Sequence, residues 1–271
     1  MGERIRRKVA LMDRKLVLVV IDGLRADALE SVLGSIAKKW KEKTTYCKQA
    51  KSVKPSLTLP ALTSMFHGVT PDRHSIFINE WTPQVRPIVG LIEQLDDFDK
   101  TCAVFATSEE TREICRPNHL VENLCFNAYK KDGADEQAIA AAKDSIENYA
   151  PDFALVHLKS VDLAGHRYGF ESEQYHQAIE KTVAMVDEFL LSVSKREVYH
   201  WILTSDHGGS GRNHGADTPE NLFVPIYFYG EAFEKKKELS ECSITDIAKT
   251  VAGVLGVPFV RDWEGENRAV K

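Results

Sequence analysis

Tyr199-His-Trp-Ile-Leu-Thr204 is a short apolar run that leads straight into Ser205-Asp-His-Gly-Gly-Ser-Gly-Arg-Asn-His-Gly215, a glycine-broken segment with one carboxylate and two imidazoles. The run has the length and composition of a buried strand. A strand ending there presents Asp206 and His207 at its carboxyl edge, where open α/β sheets place their ligands. The glycines let the backbone close around whatever is held. The segment reads either as a metal-binding loop or as a polar turn, since Asp, Ser, Asn and Gly are ordinary turn residues. The rest of the chain decides between them.

Two other aliphatic runs end in the same way. Leu16-Val-Leu-Val-Val-Ile21 stops at Asp22-Gly23. An acid at the end of a central strand is costly unless it is paired, hydrogen-bonded or bound to a cation. Asp22 is therefore a candidate ligand, or else the cap of a helical pattern running from Ala26 through Leu29, Val32, Leu33 and Ile36. Phe153-Ala-Leu-Val-His-Leu158 leads into Lys159-Ser-Val-Asp-Leu-Ala-Gly-His-Arg-Tyr-Gly169. Asp162 and His166 stand four apart, so one helical turn, or a loop bent at Gly165, aims both at a single ion.

A fourth feature is a hydroxyl ahead of a helix. In Lys54-Pro-Ser-Leu-Thr-Leu-Pro-Ala-Leu-Thr-Ser-Met-Phe-His-Gly68, Pro60 suits the first turn and Gly68 the stop. Thr58 is then a cap, or it shares a phosphate with the positive helix end and its free N–H groups.

The remaining pattern alternates. Helices are expected over Arg86–Phe98, Asp135–Tyr149, Glu173–Val193 and Ile244–Leu255, the last capped by Ser243 and ended by Gly256. Strands are expected over Thr101–Ala106, Leu124–Asn127 and Val224–Tyr229. Neither a repeat nor a linker divides the chain. This predicts one α/β domain over residues 1–271, with a mostly parallel central sheet and helices on both faces. Trp81, Arg112 and Arg116 lie in the less regular stretch between Pro71 and Asn127, where residues serve as substrate contacts or simply as surface.

The 271 residues, 43% hydrophobic and 28% charged, are globular in composition, and the net charge of −5 argues against binding a nucleic-acid polymer through its phosphates. The basic cluster Arg4-Ile-Arg-Arg-Lys8 reads as a solvated tail. No window offers about eighteen uninterrupted apolar residues, and no cleavable leader is evident, so a soluble, cytoplasmic protein without membrane association is expected. The five cysteines, Cys47, Cys102, Cys115, Cys125 and Cys242, lack zinc-knuckle or redox spacing. Any metal must therefore be held by His and Asp. Oligomeric state has no sequence signature here.

Asp22, Asp162, His166, Asp206, His207 and His214 together suit two divalent ions with oxygen and nitrogen ligands, zinc first and manganese as an alternative, and leave the Thr58 hydroxyl over to attack. Val20-Ile-Asp-Gly-Leu-Arg25, Thr58-Leu-Pro60, Val161-Asp-Leu-Ala-Gly-His166, Ser205-Asp-His-Gly208 and His214-Gly215 occur in the order and approximate spacing of the alkaline phosphatase superfamily. They resemble specifically its type I phosphodiesterase/nucleotide pyrophosphatase branch, as does the tail from Thr245 to Pro258. The resemblance implies that Asp22, Thr58, Asp206 and His207 surround one metal and that Asp162, His166 and His214 hold the other. Thr58 is then the nucleophile toward a small-molecule phosphoester, and two metals roughly 3.5 to 4 Å apart clamp the attacking and leaving oxygens. A phosphothreonine intermediate follows.

The match has departures. Ala61 stands where many members carry an asparagine that holds phosphoryl oxygens. That support falls to the backbone N–H of Leu59, to the metals, or to Lys159, Arg112 or Arg116. The arginine that a sulfatase needs after the threonine-x-proline is absent, and there is no room for the second domain of a cofactor-independent phosphoglycerate mutase. Two zinc ions balance three aspartates and a threonine alkoxide, so without a further cation a diester or pyrophosphate is the cheaper guest, with a monoester as the alternative. A binding module without catalysis is the non-enzymatic alternative.

Overall fold

The computed structural model describes residues 14–83, 87–114, 119–196 and 198–270. Its centre is an eight-stranded sheet built from β1 (Lys15–Ile21), β2 (Thr45–Lys51), β3 (Cys102–Ala106), β4 (Glu122–Cys125), β5 (Phe153–Leu158), β6 (Tyr199–Thr204), β7 (Phe223–Tyr229) and β8 (Lys237–Glu238), in the order β4-β3-β5-β1-β6-β7-β2-β8. Strands β4, β3, β5, β1 and β6 run parallel, while β7 is antiparallel to both β6 and β2.

The aliphatic run of β1 is explained by its place between β5 and β6, where both faces are covered. Leu16, Leu18 and Val20 join a core with the helices Thr58–His67, Leu91–Asp96 and Asp246–Leu255. Val17, Val19 and Ile21 point the other way, toward the helices Ala134–Asn148 and Glu173–Ser194. Alternation along one strand thus builds both layers.

The register positions the site. Ile21 pairs with Leu158, and Val20 pairs with Thr204. Continuing each pairing past the strand ends aligns Asp22 with Lys159 and with Asp206, in one row at the carboxyl edge.

Several boundaries differ from the sequence reading. The helical pattern beginning at Ala26 splits at Leu33 into Ala26–Val32 and Gly34–Lys41. The helix expected from Arg86 is confined to Leu91–Asp96 with Gly90 as its cap, because Pro87 and Gly90 break the earlier stretch; Arg86 lies outside the described residues. Ser243 does not cap the last helix, which begins at Asp246 after Thr245. The fourth strand covers Glu122–Cys125 rather than Leu124–Asn127. Strand β2 was not anticipated, since its Tyr-Cys-Lys-Gln-Ala pattern carries a bulge and no apolar run.

Candidate active site

Thr58 is the first residue of its helix rather than the residue before it; the cap position belongs to Leu57, which has no side-chain oxygen to give. Its hydroxyl is consequently not spent on capping. Thr58 Oγ1 lies 3.2 Å from His207 Nε2 and accepts from Lys159 Nζ at 3.2 Å.

Around that hydroxyl stand Asp22, Asp162 and Asp206, all fully buried. The β1 turn brings the first two together. Gly23 has φ +72°, and a Cβ there would lie 2.9 Å from the Asp162 Cα, so only glycine lets the turn approach the second acid. Tyr175 braces the turn, accepting from Arg25 N at 3.1 Å and donating to Gly23 O at 2.8 Å. Asp206 Oδ1 accepts from Gly23 N at 3.2 Å and from His207 N at 3.0 Å. Asp162 and His166 share the Ser160–Tyr168 helix, which settles the alternative between a helical turn and a loop.

The imidazoles share one orientation. Nδ1 of His207, His166 and His214 lies 2.8, 3.0 and 3.0 Å from the carbonyls of Gly208, Arg212 and Ser56. Each Nδ1 therefore carries the proton and donates it, leaving the Nε2 lone pair facing the site. His207 Nε2 is 3.4 Å from both Asp22 Oδ1 and Asp206 Oδ2. His166 Nε2 and His214 Nε2 are 3.1 Å apart and lie 3.4 and 3.7 Å from Asp162 oxygens.

Lone pairs facing one another beside a carboxylate repel unless a cation lies between them. Asp22 Oδ1, Asp162 Oδ1 and Asp206 Oδ2 are buried without a hydrogen bond, an expensive arrangement that positive charge relieves. Burial opposes the charge on Asp22, but Lys159 and the imidazoles of His157 and His207 hold its carboxyl well below the usual range. Burial and the neighbouring Asp22 push Asp206 the other way, well above it. Burial, reinforced by His207, lowers His214 to about 4, and burial lowers His207. These imidazoles are neutral at pH 7, as metal ligands must be. The residues thus fit divalent cations. Asp162, His166 and His214 form one compact group; Asp22 belongs to two more, with His157 and Asp206 and with Asp162 and His207.

Lys159 is 2% exposed, with Nζ 2.8 Å from Asp22 Oδ2 and 3.0 Å from Asp162 Oδ2. Burial works against its charge, but the two aspartates prevail and hold the amine well above its usual pKa. The remaining sequence candidates fare differently. The N–H of Leu59 donates to Asn79 Oδ1 at 2.9 Å, so it is already occupied. Arg112 is exposed on the 3-10 helix Glu109–Ile114 and has none of these site contacts. Trp81, 38% exposed, lines a separate cavity of about 480 Å³ with His67, Glu93 and Glu113. Arg116 lies outside the described residues.

Two residues at the site escaped the sequence reading. His157, on β5, has Nε2 3.2 Å from Asp22 Oδ2 and Nδ1 2.6 Å from Thr111 Oγ1. Its only sequence signal is a polar residue inside an apolar strand. Asn79 lies in the loop after the Thr58–His67 and Pro71–His74 helices, and nothing local marks it.

A mostly parallel sheet with acids and imidazoles gathered at its carboxyl edge around a threonine hydroxyl defines an alkaline phosphatase-like protein. The sequence profile of the type I phosphodiesterase/nucleotide pyrophosphatase family matches residues 16–97 and 94–222, and the chain belongs to that family. The human GPI ethanolamine phosphate transferase 2 catalytic subunit is 25% identical over 272 residues, covering 93% of this chain and 27% of the relative. Human ectonucleotide pyrophosphatase/phosphodiesterase family member 1 is 26% identical over 214 residues, 71% of this chain and 23% of the relative. The solved structure of murine ectonucleotide pyrophosphatase/phosphodiesterase 5 superposes with a TM-score of 0.80 at 13% identity, covering 93% of this chain and 98% of that one. The chain spans only about a quarter of the length of either curated relative.

Proposed function

We propose that this protein hydrolyses small-molecule phosphoesters, the bond being a phosphodiester or nucleotide pyrophosphate as its family suggests, with Thr58 as the nucleophile. The observation that carries the reading is the Thr58 hydroxyl, 3.2 Å from both Lys159 Nζ and His207 Nε2 and free of any capping duty. Asp162, His166 and His214 would hold one divalent cation, and Asp22, Asp206 and His207 with Thr58 a second, zinc or manganese by their donor set. Such cations would lower the cost of negative charge on the threonine oxygen and on the phosphoryl oxygens.

The chain's own residues supply the rest. Thr58 Oγ1 gives its proton to solvent and bonds to phosphorus, the bond to the leaving oxygen breaks, and that oxygen departs with a proton from solvent. Water then bonds to phosphorus, the bond to Thr58 breaks, and a proton from that water restores the threonine hydroxyl. Asn79, which accepts from Leu59 N, keeps its amide N–H groups for a phosphoryl oxygen, the part that Ala61 leaves unfilled. The helix N-terminus adds its dipole.

The test is turnover of bis-nitrophenyl and mono-nitrophenyl phosphate by the zinc- or manganese-loaded protein, with Thr58→Ala as control. Turnover of neither ester, or full turnover by Thr58→Ala, sinks the reading. A second reading, transfer of the phosphorus-bearing group to an alcohol instead of water, is favoured by the match to an ethanolamine phosphate transferase over 93% of this chain. A transferred product on adding an alcohol acceptor separates the two.

A further inference from the structure

Three segments carry the ligand-type side chains, and one ion pair outside the ligand set touches all three. Arg25, buried, comes just after the turn that holds Asp22, at the cap position of the Ala26–Val32 helix. Glu171 joins the Ser160–Tyr168 helix, which carries Asp162 and His166, to the Glu173–Ser194 helix. Arg25 Nη1 donates to Glu171 Oε1 at 2.8 Å and to the carbonyl of Gly209 at 3.3 Å. The other oxygen of Glu171 accepts from Gly211 N at 3.1 Å. Gly209 and Gly211 stand in the loop between His207 and His214. Asp27 takes the remaining side of the guanidinium, accepting from Nε at 2.9 Å and from Nη2 at 2.7 Å, which fixes the orientation of the fork.

Phe170 packs among the same elements. Its N–H donates to Gly211 O at 2.7 Å, and its ring centroid lies 5.9 Å from that of His166 and 6.4 Å from that of His214. A Cβ on Gly165 or on Gly209 would lie 2.6 Å from the ring, so helix and loop close on it from both sides. After Gly211 comes Arg212, whose carbonyl orients His166. A shift at Gly211 therefore moves His214 along its own loop and His166 through its acceptor.

We propose that Arg25 and Glu171 form a strut that positions the loop, and with it His166 and His214, for the cation held with Asp162. This rests on those three residues being ligands. Charge alone predicts opposite effects for the two ends, because a carboxylate attracts a divalent cation and a guanidinium repels it. Removing Glu171 would then weaken zinc binding, and removing Arg25 would tighten it. A strut fails when either end is cut, and cutting both costs no more than the worse single cut.

The experiment measures zinc binding by competition with a chromogenic chelator, together with thermal melts of the zinc-free protein. It uses the parent, Glu171→Gln, Arg25→Met, Arg25→Lys and the Glu171→Gln/Arg25→Met double variant. One zinc equivalent per chain should weaken about 10- to 100-fold in each single variant while the other holds. The double variant should match the worse single. Arg25→Lys keeps the charge without the fork, so its loss separates the strut from charge even where Arg25→Met does not fold. Tighter zinc in Arg25→Met, unchanged zinc in Arg25→Lys, additive losses in the double variant, or equal weakening of both zinc equivalents each overturn the proposal. So does a lower melting temperature of the zinc-free variants with zinc affinity intact, since the pair would then serve the fold alone. A parent that binds no zinc overturns the ligand assignment itself, and the strut with it.

Discussion

The ring of His207 stacks on that of His214, with centroids 3.8 Å apart and planes 18° from parallel. The two imidazoles turn their Nε2 atoms toward different acids, Asp22 and Asp206 for His207, and Asp162 for His214. The stack is the shared wall of the two candidate cation groups.

Cation binding should therefore stabilise the fold. A cation at about a hundred times its dissociation constant contributes about 2.7 kcal/mol, or roughly 5 to 10 °C in a protein of this size. Thermal melts of chelated and zinc-replenished protein check this, and Asp162→Asn should lose most of the gain. A melting temperature indifferent to zinc would mean that these residues are not ligands.

Thr58→Ala should lose about a thousandfold or more in turnover yet melt within about 1 kcal/mol of the parent, because the side chain caps nothing. Thr58→Ser should recover part of the rate. A Thr58→Ala protein that has unfolded would assign the residue to structure instead.

His157 is expected to orient Asp22 from beneath, as the partners of metal-binding carboxylates do. Replacing it by alanine should weaken zinc binding about 10- to 100-fold, measured by competition with a chromogenic chelator. The backbone pairing of β5 is untouched by the change, and circular dichroism should stay the same.

Gly208→Ala should be damaging in two ways. An added Cβ would lie 2.0 Å from the backbone oxygen of Glu220, which cannot step aside as a flexible side chain would. Overpacking of this kind costs about 1–3 kcal/mol. The strain also falls on the carbonyl that orients His207, so activity should drop together with the melting temperature.

Acid should destabilise the protein through a histidine remote from the chemistry. Burial, reinforced by His67, lowers His74 from its ordinary 6.5 to about 3. Its Nδ1 accepts from Ile76 N at 3.0 Å and its Nε2 lies 2.9 Å from Ser64 Oγ, so a second proton would break a backbone contact. Between about 3 and 6.5 the unfolded chain binds a proton that the folded one refuses. Stability from this group is therefore complete above 6.5 and is lost as the pH falls toward 3. Denaturant titrations at pH 7 and pH 5 on His74→Gln and the parent should show a smaller acid penalty in the variant.

The run of β1, the run of β5 and the Tyr199–Thr204 strand were legible in the sequence because a strand covered on both faces must be apolar throughout, and so were Asp22 and Asp206 just past β1 and β6. The Asp162–His166 spacing was legible for the same kind of local reason. Strand β2 was not, since its stability comes from antiparallel pairing with β7 rather than from its own pattern.

The amino-acid order by itself determined that polar, ligand-type side chains would leave the sheet at its carboxyl edge, because periodicity reports which residues are buried and where buried runs stop. Only the tertiary structure decided which of those side chains meet. Strand register set Lys159, Asp22 and Asp206 in one row, a loop carried Asn79 to Leu59 N, and β5 brought His157 under Asp22. Such contacts join residues far apart in the chain, and no local pattern records them.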